Sequence, residues 1–364
     1  MTPHFHRLAV ARVQRETPDA ISVTFAVPVE LGDTYRYTQG QHLTLRTQLD
    51  GEEVRRSYSI CAGVDDRTLR IAIKQVDGGR FSSWANAALA AGMQIDVMSP
   101  DGRFFTQLDA AQSKHYVAFA AGSGITPVLS LIKTTLAREP RSRFTLVYGN
   151  RTVASILFSE ELEDLKDRYM GRFTLHHVLS REPQDVPLFS GRIDADKCRT
   201  LLAKLLPPAD IDEVFVCGPG AMLDALKDTL VEAGIDAAHI HVERFGTPGG
   251  AGAAIRPPVA VAVAAGSDAP AADVVVISDG VTRTLRVPFG GASILDAALA
   301  AGADLPFACK GGVCCTCRAR ILEGTVAMDK NYSLEAHELA RGFVLSCQSH
   351  PTSGRVVISY DERL

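Results

Sequence analysis

The stretch HYVAFAAGSGITPVLSLIKTTLA, residues 115–137, decides the fold of the middle of this chain. Its first eight residues form a short apolar run that is typical of a buried strand, and the segment after the glycines has the composition of a helix. The turn between them resembles a phosphate-binding turn at a helix N-terminus, although the full G-x-G-x-x-G pattern is missing. Strand, glycine turn and helix in this order predict an α/β domain that binds a nucleotide.

The same alternation continues on the C-terminal side. RFTLVYGN (143–150) precedes FSEELEDLKDRY (158–169), RFTLHHVLS (172–180) follows, and DEVFVCGPG (212–220) precedes AMLDALKDTLVEAG (221–234). Alternating strands and helices build a doubly wound parallel sheet, which we predict for residues 106–246. Ligands of such sheets bind at the carboxyl ends of the strands, where this chain carries YGNR, LSRE and CGPG.

Residues 1–105 follow a different pattern. Short runs such as AISVTFAV (20–27), QHLTLRTQL (41–49) and LRIAIKQV (69–76) alternate apolar and polar positions, and turn signals separate them. This pattern is typical of antiparallel strands that cover a core on one side. It predicts a small antiparallel β-barrel.

Composition narrows the class of protein. The chain has 364 residues, of which 46% are hydrophobic and 22% charged, and a formal net charge of −4. This predicts a soluble protein of two or three domains. A basic run is missing, and no apolar run approaches the roughly 20 residues that span a bilayer, so neither nucleic acid nor membrane is an expected partner. The first 20 residues lack a signal-peptide pattern, which predicts a cytoplasmic protein with reduced thiols.

The C-terminal part begins with a change of composition. Residues 247–271, TPGGAGAAIRPPVAVAVAAGSDAPA, consist mainly of Ala, Gly and Pro, and we interpret them as an interdomain linker. The module at 272–364 then opens with the strand-like runs DVVVISDG and RTLRVPF. A helix follows in SILDAALAAG, for which Ser293 is the predicted N-cap.

Four cysteines crowd into CKGGVCCTC, residues 309–317, directly after that helix. Cys309, Cys314 and Cys317 have the spacing C-x4-C-x2-C, and Cys347 follows after 29 more residues. This is the plant-type [2Fe-2S] spacing, in which three thiolates from one loop and a fourth from a distant segment surround the cluster. A structural zinc site is the alternative, but it usually shows two C-x2-C pairs and this chain has one.

The loop also contains two glycines and one cysteine outside the cluster spacing. Gly311 and Gly312 allow the backbone to curl so that its N–H groups point at the sulfurs. Cys315 fits neither interval, and we expect its side chain to point away from the ligands.

Two segments of the barrel indicate a flavin. RRSYS (55–59) can direct a cation, a ring and a hydroxyl toward one flat ligand that carries a diphosphate. GGRFSS (78–83) adds glycines for a close backbone approach and a helix N-terminus, predicted at Ser82 or Ser83, which suits an anion. Alone, each segment has an ordinary structural interpretation, as a surface ion pair or a capped turn, and their order and spacing together favour the flavin.

Two arginines compete for one role in the nucleotide domain. Arg151 in YGNR and Arg181 in LSRE, next to Ser180, both follow predicted strand ends. An arginine at such a place can hold the 2′-phosphate of NADP, so the sequence favours NADPH over NADH. Either side chain can instead be an ordinary solvated arginine.

These motifs together resemble a known family. RSYS, GGRFS, GSGITP, YGNR and CGP in this order are similar to the ferredoxin-NADP reductase superfamily, and the appended CKGGVCCTC and LSCQ resemble its ferredoxin-fused oxygenase reductases. AAGSGITP, HVERFGTPG, ADLPFACKGGVC and NYSLEAHELARGFVLSCQ are similar, more narrowly, to the reductase subunits of phenylacetyl-CoA epoxidases. The resemblance covers essentially the whole chain. It implies three modules: an FAD-binding β-barrel, an NADP-binding α/β domain and a β-grasp ferredoxin domain of the α+β class.

The resemblance also implies a set of cofactor contacts. Those expected around FAD and its phosphates are Arg56, Tyr58, Ser59, Ile73, Lys74, Gly79, Arg80, Phe81 and Ser82, with Glu243 and Phe245 near the flavin face. Those expected around NADPH are Gly122, Gly124, Thr126, Pro127, Arg151, Ser180, Arg181, Cys217, Gly218 and Pro219. Cys309, Cys314, Cys317 and Cys347 would bind the cluster, and no catalytic acid–base group is expected.

The implied activity is electron transfer from NADPH to FAD, then to the cluster, then to a separate di-iron oxygenase that epoxidises phenylacetyl-CoA. A reductase for a Rieske-type or other aromatic-ring oxygenase is the first alternative. A non-enzymatic redox sensor with zinc on its C-terminal cysteines is an alternative of another class.

Overall fold

The computed structural model describes residues 4–246 and 270–362. Most of the predicted linker, residues 247–269, lies outside the described residues. Among these residues, 6–54 and 58–245 form one compact unit, and 270–362 with 246, 4–5 and 55–57 form a second. Among the helices of the described ranges, none is both long and apolar enough to cross a membrane.

The first sheet is the predicted barrel. Its strands are β1 (Phe5–Thr17), β2 (Ala20–Ala26), β3 (His42–Leu49), β4 (Glu52–Ser59), β5 (Leu69–Lys74) and β6 (Gln94–Met98), with helix α1 (Arg80–Ala88) before the last strand. They are ordered β4-β3-β6-β1-β2-β5, and an antiparallel bridge between Ile60 and Ile71 joins the two ends. That bridge links β5 to the residue after β4, which closes the sheet into a barrel.

The second sheet is parallel, as predicted. It contains β7 (His115–Ala121), α2 (Ile125–Arg138), β8 (Arg143–Asn150), α3 (Ser159–Arg168), β9 (Phe173–Leu179), α4 (Ala195–Lys204), β10 (Glu213–Gly218), α5 (Gly220–Glu232) and β11 (Ile240–Arg244). The order is β11-β10-β7-β8-β9, and each neighbouring pair is parallel. The predicted boundary at 105–106 falls between Met98 and His115, where it stays a prediction.

Buried side chains of the parallel sheet alternate between its two faces. Tyr116 and Ala118 of β7 pack in the cluster that includes α2 and α3, whereas Val117 and Phe119 pack in the cluster that includes α4 and α5. Because both faces are covered by helices, β7 is apolar or aromatic at every position after His115, which is the pattern that its sequence shows. Burying a side chain such as Phe119 contributes about 1.5–3 kcal/mol.

The second unit contains a mixed sheet and two short helices that pack against its strands. Its elements are β12 (Ala271–Ser278), β13 (Val281–Pro288), α6 (Ile294–Ala300), β14 (Arg318–Glu323), β15 (Val326–Met328), α7 (Ala336–Ala340), β16 (Phe343–Leu345), β17 (Ser349–Pro351) and β18 (Arg355–Ser359). The five-stranded sheet has the order β13-β12-β18-β14-β16, and β15 pairs with β17. Ser293 caps α6 by accepting a hydrogen bond from the Asp296 N–H at 3.2 Å, which confirms the predicted N-cap.

A group of charged side chains joins the barrel to the parallel sheet within the larger unit. Arg70 on β5 donates to both carboxylate oxygens of Glu161 on α3, at 2.9 and 2.7 Å. Lys133 on α2 donates to Glu161 at 2.5 Å and contacts Asp66 at 2.6 Å. Since Arg70, Lys133 and Glu161 are each less than a quarter exposed, their hydrogen bonds compete little with water.

Glu161→Gln is expected to lower the free energy of unfolding of the larger unit. It removes the charge that accepts from two half-buried cations, a loss of about 1–3 kcal/mol. The measurement is a urea titration followed by circular dichroism. Glu163→Gln on the same helix is the matched control, because its contact with Lys166 is 4.0 Å long and exposed. Equal small effects of the two substitutions would contradict the anchoring role of Glu161.

Candidate functional site

The turn between β7 and α2 has the shape of a nucleotide-binding turn. Gly122 has a positive φ of 54°, a conformation in which glycine avoids the strain of a side chain. A Cβ on Gly124 would lie 2.1 Å from the carbonyl oxygen of Cys217, so this residue must be glycine for the turn to reach β10. Thr126 and Pro127 are buried in the first turn of α2, and Thr126 Oγ1 donates to the Ser123 carbonyl at 3.0 Å. The backbone at Gly122 is therefore partly exposed, while Thr126 and Pro127 support the turn, and contact of these residues with a nucleotide stays a prediction.

The two competing arginines lie side by side. Ser180 N–H donates to the Asn150 carbonyl at 2.9 Å, and Arg181 N–H donates to the Arg151 carbonyl at 2.8 Å. This continues the parallel pairing of β8 with β9 by two residues beyond the strands. Arg151, Ser180 and Arg181 are all exposed, and neither guanidinium has an ion pair within residues 4–246 or 270–362. The structure thus places both arginines at one edge of the parallel sheet. Both stay predicted contacts for the 2′-phosphate.

Cys217, Gly218 and Pro219 stand at the carboxyl end of β10. Cys217 is fully buried, and its register partners are Ala120 on β7 and Glu243 on β11. Gly218 is buried as well, whereas Pro219 is exposed and caps α5. Burial raises the pKa of the Cys217 thiol, and the Glu243 carboxylate adds to this effect. The thiol is therefore neutral at physiological pH.

A hydrogen bond connects the barrel with this strand end. Ser59, the last residue of β4, donates through Oγ to Glu243 Oε2 at 3.3 Å. Removal from water raises the pKa of Glu243 to about 8, against the opposing effect of the Ser59 hydroxyl. Ser59, Cys217 and Glu243 thereby lie together at the carboxyl end of β10. The sequence does not show this, because it depends on the proximity of the barrel to the parallel sheet. Phe245 follows two residues after Glu243, and 41% of its surface is exposed.

The barrel residues expected around a flavin divide into two groups. Arg56 and Tyr58 lie two positions apart on β4, so their side chains share one face, and both are half-buried. Lys74 on β5 is half-buried and contacts Asp19 at 3.4 Å. Ile73, however, is fully buried in the core of the barrel. Its side chain is turned away from solvent, so any cofactor contact from Ile73 would have to come from its backbone.

Helix α1 begins at Arg80, earlier than the predicted start at Ser82 or Ser83. The prediction was wrong because Ser82 supports the turn before the helix: its Oγ accepts from the Val76 N–H at 3.1 Å and donates to the Gly79 carbonyl at 3.2 Å. Gly79 is the N-cap, and exposed Arg80 pairs with Glu52 at 2.5 Å.

Phe81 is buried and contacts two other rings of the barrel. Its ring centroid lies 5.7 Å from that of Tyr58 and 5.5 Å from that of Trp84. Phe81 and Ser82 therefore shape the segment that was expected to cradle the pyrophosphate. Contact of Gly79 and Arg80, at the N-terminus of α1, with the pyrophosphate stays a prediction.

The cysteine loop curls around its own sulfurs, as the glycines predicted. Lys310, Gly312 and Cys315 have positive φ angles of 48°, 77° and 56°. In this conformation the N–H groups of Gly311 and Cys314 donate to Cys309 Sγ, at 3.3 and 3.4 Å. The Cys314 thiol and these backbone donors lower the pKa of Cys309. The loop thus stabilises negative charge on sulfur, as a cluster ligand requires.

The four spaced cysteines form two pairs of thiols. Cys309 interacts with Cys314, and Cys317 interacts with Cys347. The fourth cysteine is brought in by Ser346, whose N–H and Oγ donate to the Cys317 carbonyl at 3.1 and 2.8 Å.

This arrangement suits two irons better than one zinc. Two pairs of thiols fit a [2Fe-2S] cluster, because each of its irons takes two protein ligands. Cys315 is half-buried and packs against the hydrophobic core of this unit, and its exclusion from the ligands stays a prediction.

Family models match the chain in three successive segments. Residues 7–106 match an oxidoreductase FAD-binding domain, residues 119–228 an oxidoreductase NAD-binding domain, and residues 276–352 a 2Fe-2S iron-sulfur cluster binding domain. These matches confirm the predicted order of modules and the cofactors FAD, NAD(P)H and [2Fe-2S]. The chain is an oxidoreductase.

Relatives of known activity cover nearly the full length. The chain is 47% identical to one of the subunits of the 1,2-phenylacetyl-CoA epoxidase of Escherichia coli K12, over 99% of this chain and 98% of that protein. It is 37% identical to the ferredoxin reductase component of a 3-ketosteroid-9-alpha-monooxygenase of Mycobacterium tuberculosis, over 99% and 97%. The crystal structure of phthalate dioxygenase reductase shares the fold with a TM-score of 0.59 at 22% identity, over 98% of both chains.

Glu243→Gln is expected to remove a pH dependence from the unfolding free energy. Because folding raises the pKa of Glu243 from near 4.5 to about 8, the folded state holds this proton more tightly than the unfolded state. The stabilisation that protonated Glu243 gives to the folded state is thus fully present below about pH 4.5 and is lost as the pH rises to about 8. Urea titrations of the flavin-free chain between these limits measure it.

The variant should lose less stability than the wild type over that pH range. Glu232→Gln, an exposed carboxylate on α5, is the control and should leave the slope unchanged. Parallel pH profiles of the wild type and Glu243→Gln would contradict the raised pKa.

Proposed function

Because this chain belongs to the family of flavin- and iron-sulfur-containing reductase components of oxygenases, we propose that it delivers electrons from NADPH to a di-iron oxygenase that acts on phenylacetyl-CoA. The observation that carries the electron-transfer part is the presence, in one chain, of a nucleotide turn, a closed barrel and two pairs of thiols in a curled loop. The acceptor is proposed from the 47% identity to a component of an epoxidase.

The three modules connect two cofactors that transfer different numbers of electrons at a time. A nicotinamide gives up two electrons as a hydride and an iron-sulfur cluster takes one at a time, so a bound flavin supplies the chemistry that connects them. The protein's part is to position the cofactors and exclude water. No acid–base triad is needed for that task.

Each group of residues has a proposed part in this transfer. The backbone of the turn at Gly122 and Gly124 would hold the nucleotide phosphates at the N-terminus of α2. Cys217, neutral and buried, would line the nicotinamide site without adding charge. Glu243 carries its proton at neutral pH and, with Ser59, would present hydrogen bonds to the flavin.

The remaining proposed contacts with the flavin come from half-buried and exposed residues of the barrel. Arg56, Tyr58, Gly79 and Arg80 would hold the flavin and its phosphates, and Cys309, Cys314, Cys317 and Cys347 would bind the cluster. These cysteines form no disulfides. Thiols that bind a cluster must stay reduced, so the cytoplasm is the proposed location.

A second candidate acceptor is an oxygenase that acts on another substrate. The 37% identity to a steroid monooxygenase reductase component supports this alternative, because that relative also aligns over nearly its whole length. The test is reconstitution: the purified chain, NADPH and O₂ are combined with the oxygenase components of a phenylacetyl-CoA epoxidase, and epoxide formation is followed. Turnover with a steroid or Rieske-type oxygenase, and none with the epoxidase, would favour the alternative.

Cys314→Ser is expected to separate the two halves of the activity. Loss of one of the four thiols should abolish the visible absorbance of the cluster and the transfer to an oxygenase, while NADPH oxidation by ferricyanide through the flavin remains. Cys315→Ser is the matched control and should keep both activities, because Cys315 is not a proposed ligand. Equal loss of both activities in Cys314→Ser would contradict independent modules.

The double variant Arg151→Ala/Arg181→Ala is expected to raise the KM for NADPH at least tenfold, which corresponds to about 1.4 kcal/mol. The KM for NADH should change little, because NADH has no 2′-phosphate for the guanidinium groups to bind. Steady-state ferricyanide reduction with each nucleotide measures both values.

The single variants then show which arginine carries the effect. Arg199→Ala, an arginine of α4 paired with Asp196 and Glu232, is the control. An equal rise with both nucleotides would exclude recognition of the 2′-phosphate by Arg151 and Arg181.

A further inference from the structure

The side chain of Gln348 lies against the sulfur of the preceding residue. Its Nε2 is 3.4 Å from Cys347 Sγ, 2.9 Å from the Cys347 carbonyl oxygen and 3.0 Å from the Lys310 carbonyl oxygen. Lys310 belongs to the cysteine loop and Cys347 to the distant segment, so one amide group connects both parts of the proposed cluster site.

The orientation of this amide follows from its partners. Two of the three atoms around it are carbonyl oxygens, which only accept hydrogen bonds. Turning the amide over would place Oε1 against both of them, so the NH₂ group must face this side. Since the NH₂ group has two hydrogens and three acceptors, one N–H is shared between a carbonyl oxygen and the Cys347 sulfur.

The rest of Gln348 is held in place as well. Its N–H donates to the Leu345 carbonyl and its carbonyl accepts from the Asp329 N–H, both at 2.9 Å. Its side-chain stem packs on Gly312, where a Cβ would lie 3.4 Å from Gln348 Cγ. Only 7% of the residue is exposed. The N–H group is thus positioned before any cluster binds, and water competes little for it.

A donor at a ligand sulfur changes the energy of the cluster. Reduction adds negative charge to the irons and their sulfurs, and an N–H group that points at a thiolate stabilises the more negative state. Cys309 receives such bonds from backbone N–H groups, which substitution does not remove. Cys347 also has a backbone donor, Gly312, but its second donor is the side chain of Gln348, whose contribution can be deleted.

We propose that Gln348 is a positioning residue for electron transfer: its side-chain amide raises the reduction potential of the [2Fe-2S] cluster and ties the segment of the fourth ligand to the cysteine loop. This inference rests on the proposed cluster ligands. A purified wild-type chain without cluster absorbance would refute those ligands, whereas a cluster-loaded chain tests Gln348 by itself.

Gln348→Met in the full-length holoprotein is the first test. Methionine has nearly the same length but cannot donate a hydrogen bond. The cluster potential, measured by redox titration with electron paramagnetic resonance of the reduced cluster, should shift to a more negative value, while the flavin potential stays the same. Iron should also be lost faster to a chelator, because the link to the Lys310 carbonyl is missing.

Two further variants give the comparison. Gln348→Glu keeps the shape but presents only acceptors when ionised, so it should shift the potential in the same direction. Thr352→Val removes a hydroxyl contact of 2.7 Å to Thr325, in the same unit and exposed, and should leave the potential and the rate of iron loss unchanged. An unchanged potential in iron-replete Gln348→Met would overturn the proposal.

A measurement on the wild type decides the case if the variants do not retain the cluster. Gln348 is the only glutamine in residues 272–364, so amide-¹⁵N glutamine places a unique side-chain label in this module. Pulsed electron paramagnetic resonance of the reduced holoprotein should detect a ¹⁵N coupling to the cluster. Absence of that coupling would overturn the proposal whatever the variants do.

Discussion

The close approach of Gly124 to the Cys217 carbonyl, which leaves no room for a side chain, organises the larger unit. It holds the nucleotide turn against β10, and the helix that starts from this turn reaches the barrel. Ser130 of that helix donates to the Ala62 carbonyl at 2.7 Å, and Lys133 shares Glu161 with Arg70. On the other side of β10, the register with β11 places Glu243 beside Cys217 and within reach of Ser59. The barrel and the parallel sheet thus meet at Ser59, Cys217 and Glu243, where we propose that the flavin and the nicotinamide bind.

The second unit depends on a different constraint, which is the electrostatic repulsion between neighbouring thiolates. Thiolates that share one site repel each other, and an isolated chain would keep them protonated or apart. Three residues in left-handed backbone conformation curl the loop so that N–H groups point inward, and the Cys317 carbonyl accepts two hydrogen bonds from Ser346. Two of the three left-handed residues, Lys310 and Cys315, carry side chains, which is a conformational cost that the surrounding hydrogen bonds must offset.

Local patterns predicted local structure well and side-chain direction less well. The sequence patterns predicted strands β7 to β10, helices α2, α3 and α5, and the N-cap of α6, whereas α4 and β11 were not predicted. The start of α1 did not, because Ser82 resembles a helix cap in the sequence but bonds the turn that precedes the helix. Ile73 and Phe81 also belong to a motif that indicates a ligand, yet their side chains fill the barrel core. A motif identifies the segment near a cofactor, whereas packing decides which of its side chains face inward.

By itself, the sequence determined the three modules, their order and the four spaced cysteines, because each of these is written in a contiguous stretch or a fixed interval. The tertiary structure alone decided which distant residues meet. Ser59 and Glu243 are 184 positions apart, Arg151 and Arg181 become neighbours through the pairing of β8 with β9, and Gln348 reaches Lys310 across the cysteine loop. Such contacts depend on strand register and on the closing of loops, which are set by the packing of the whole unit and leave no mark in the spacing of residues.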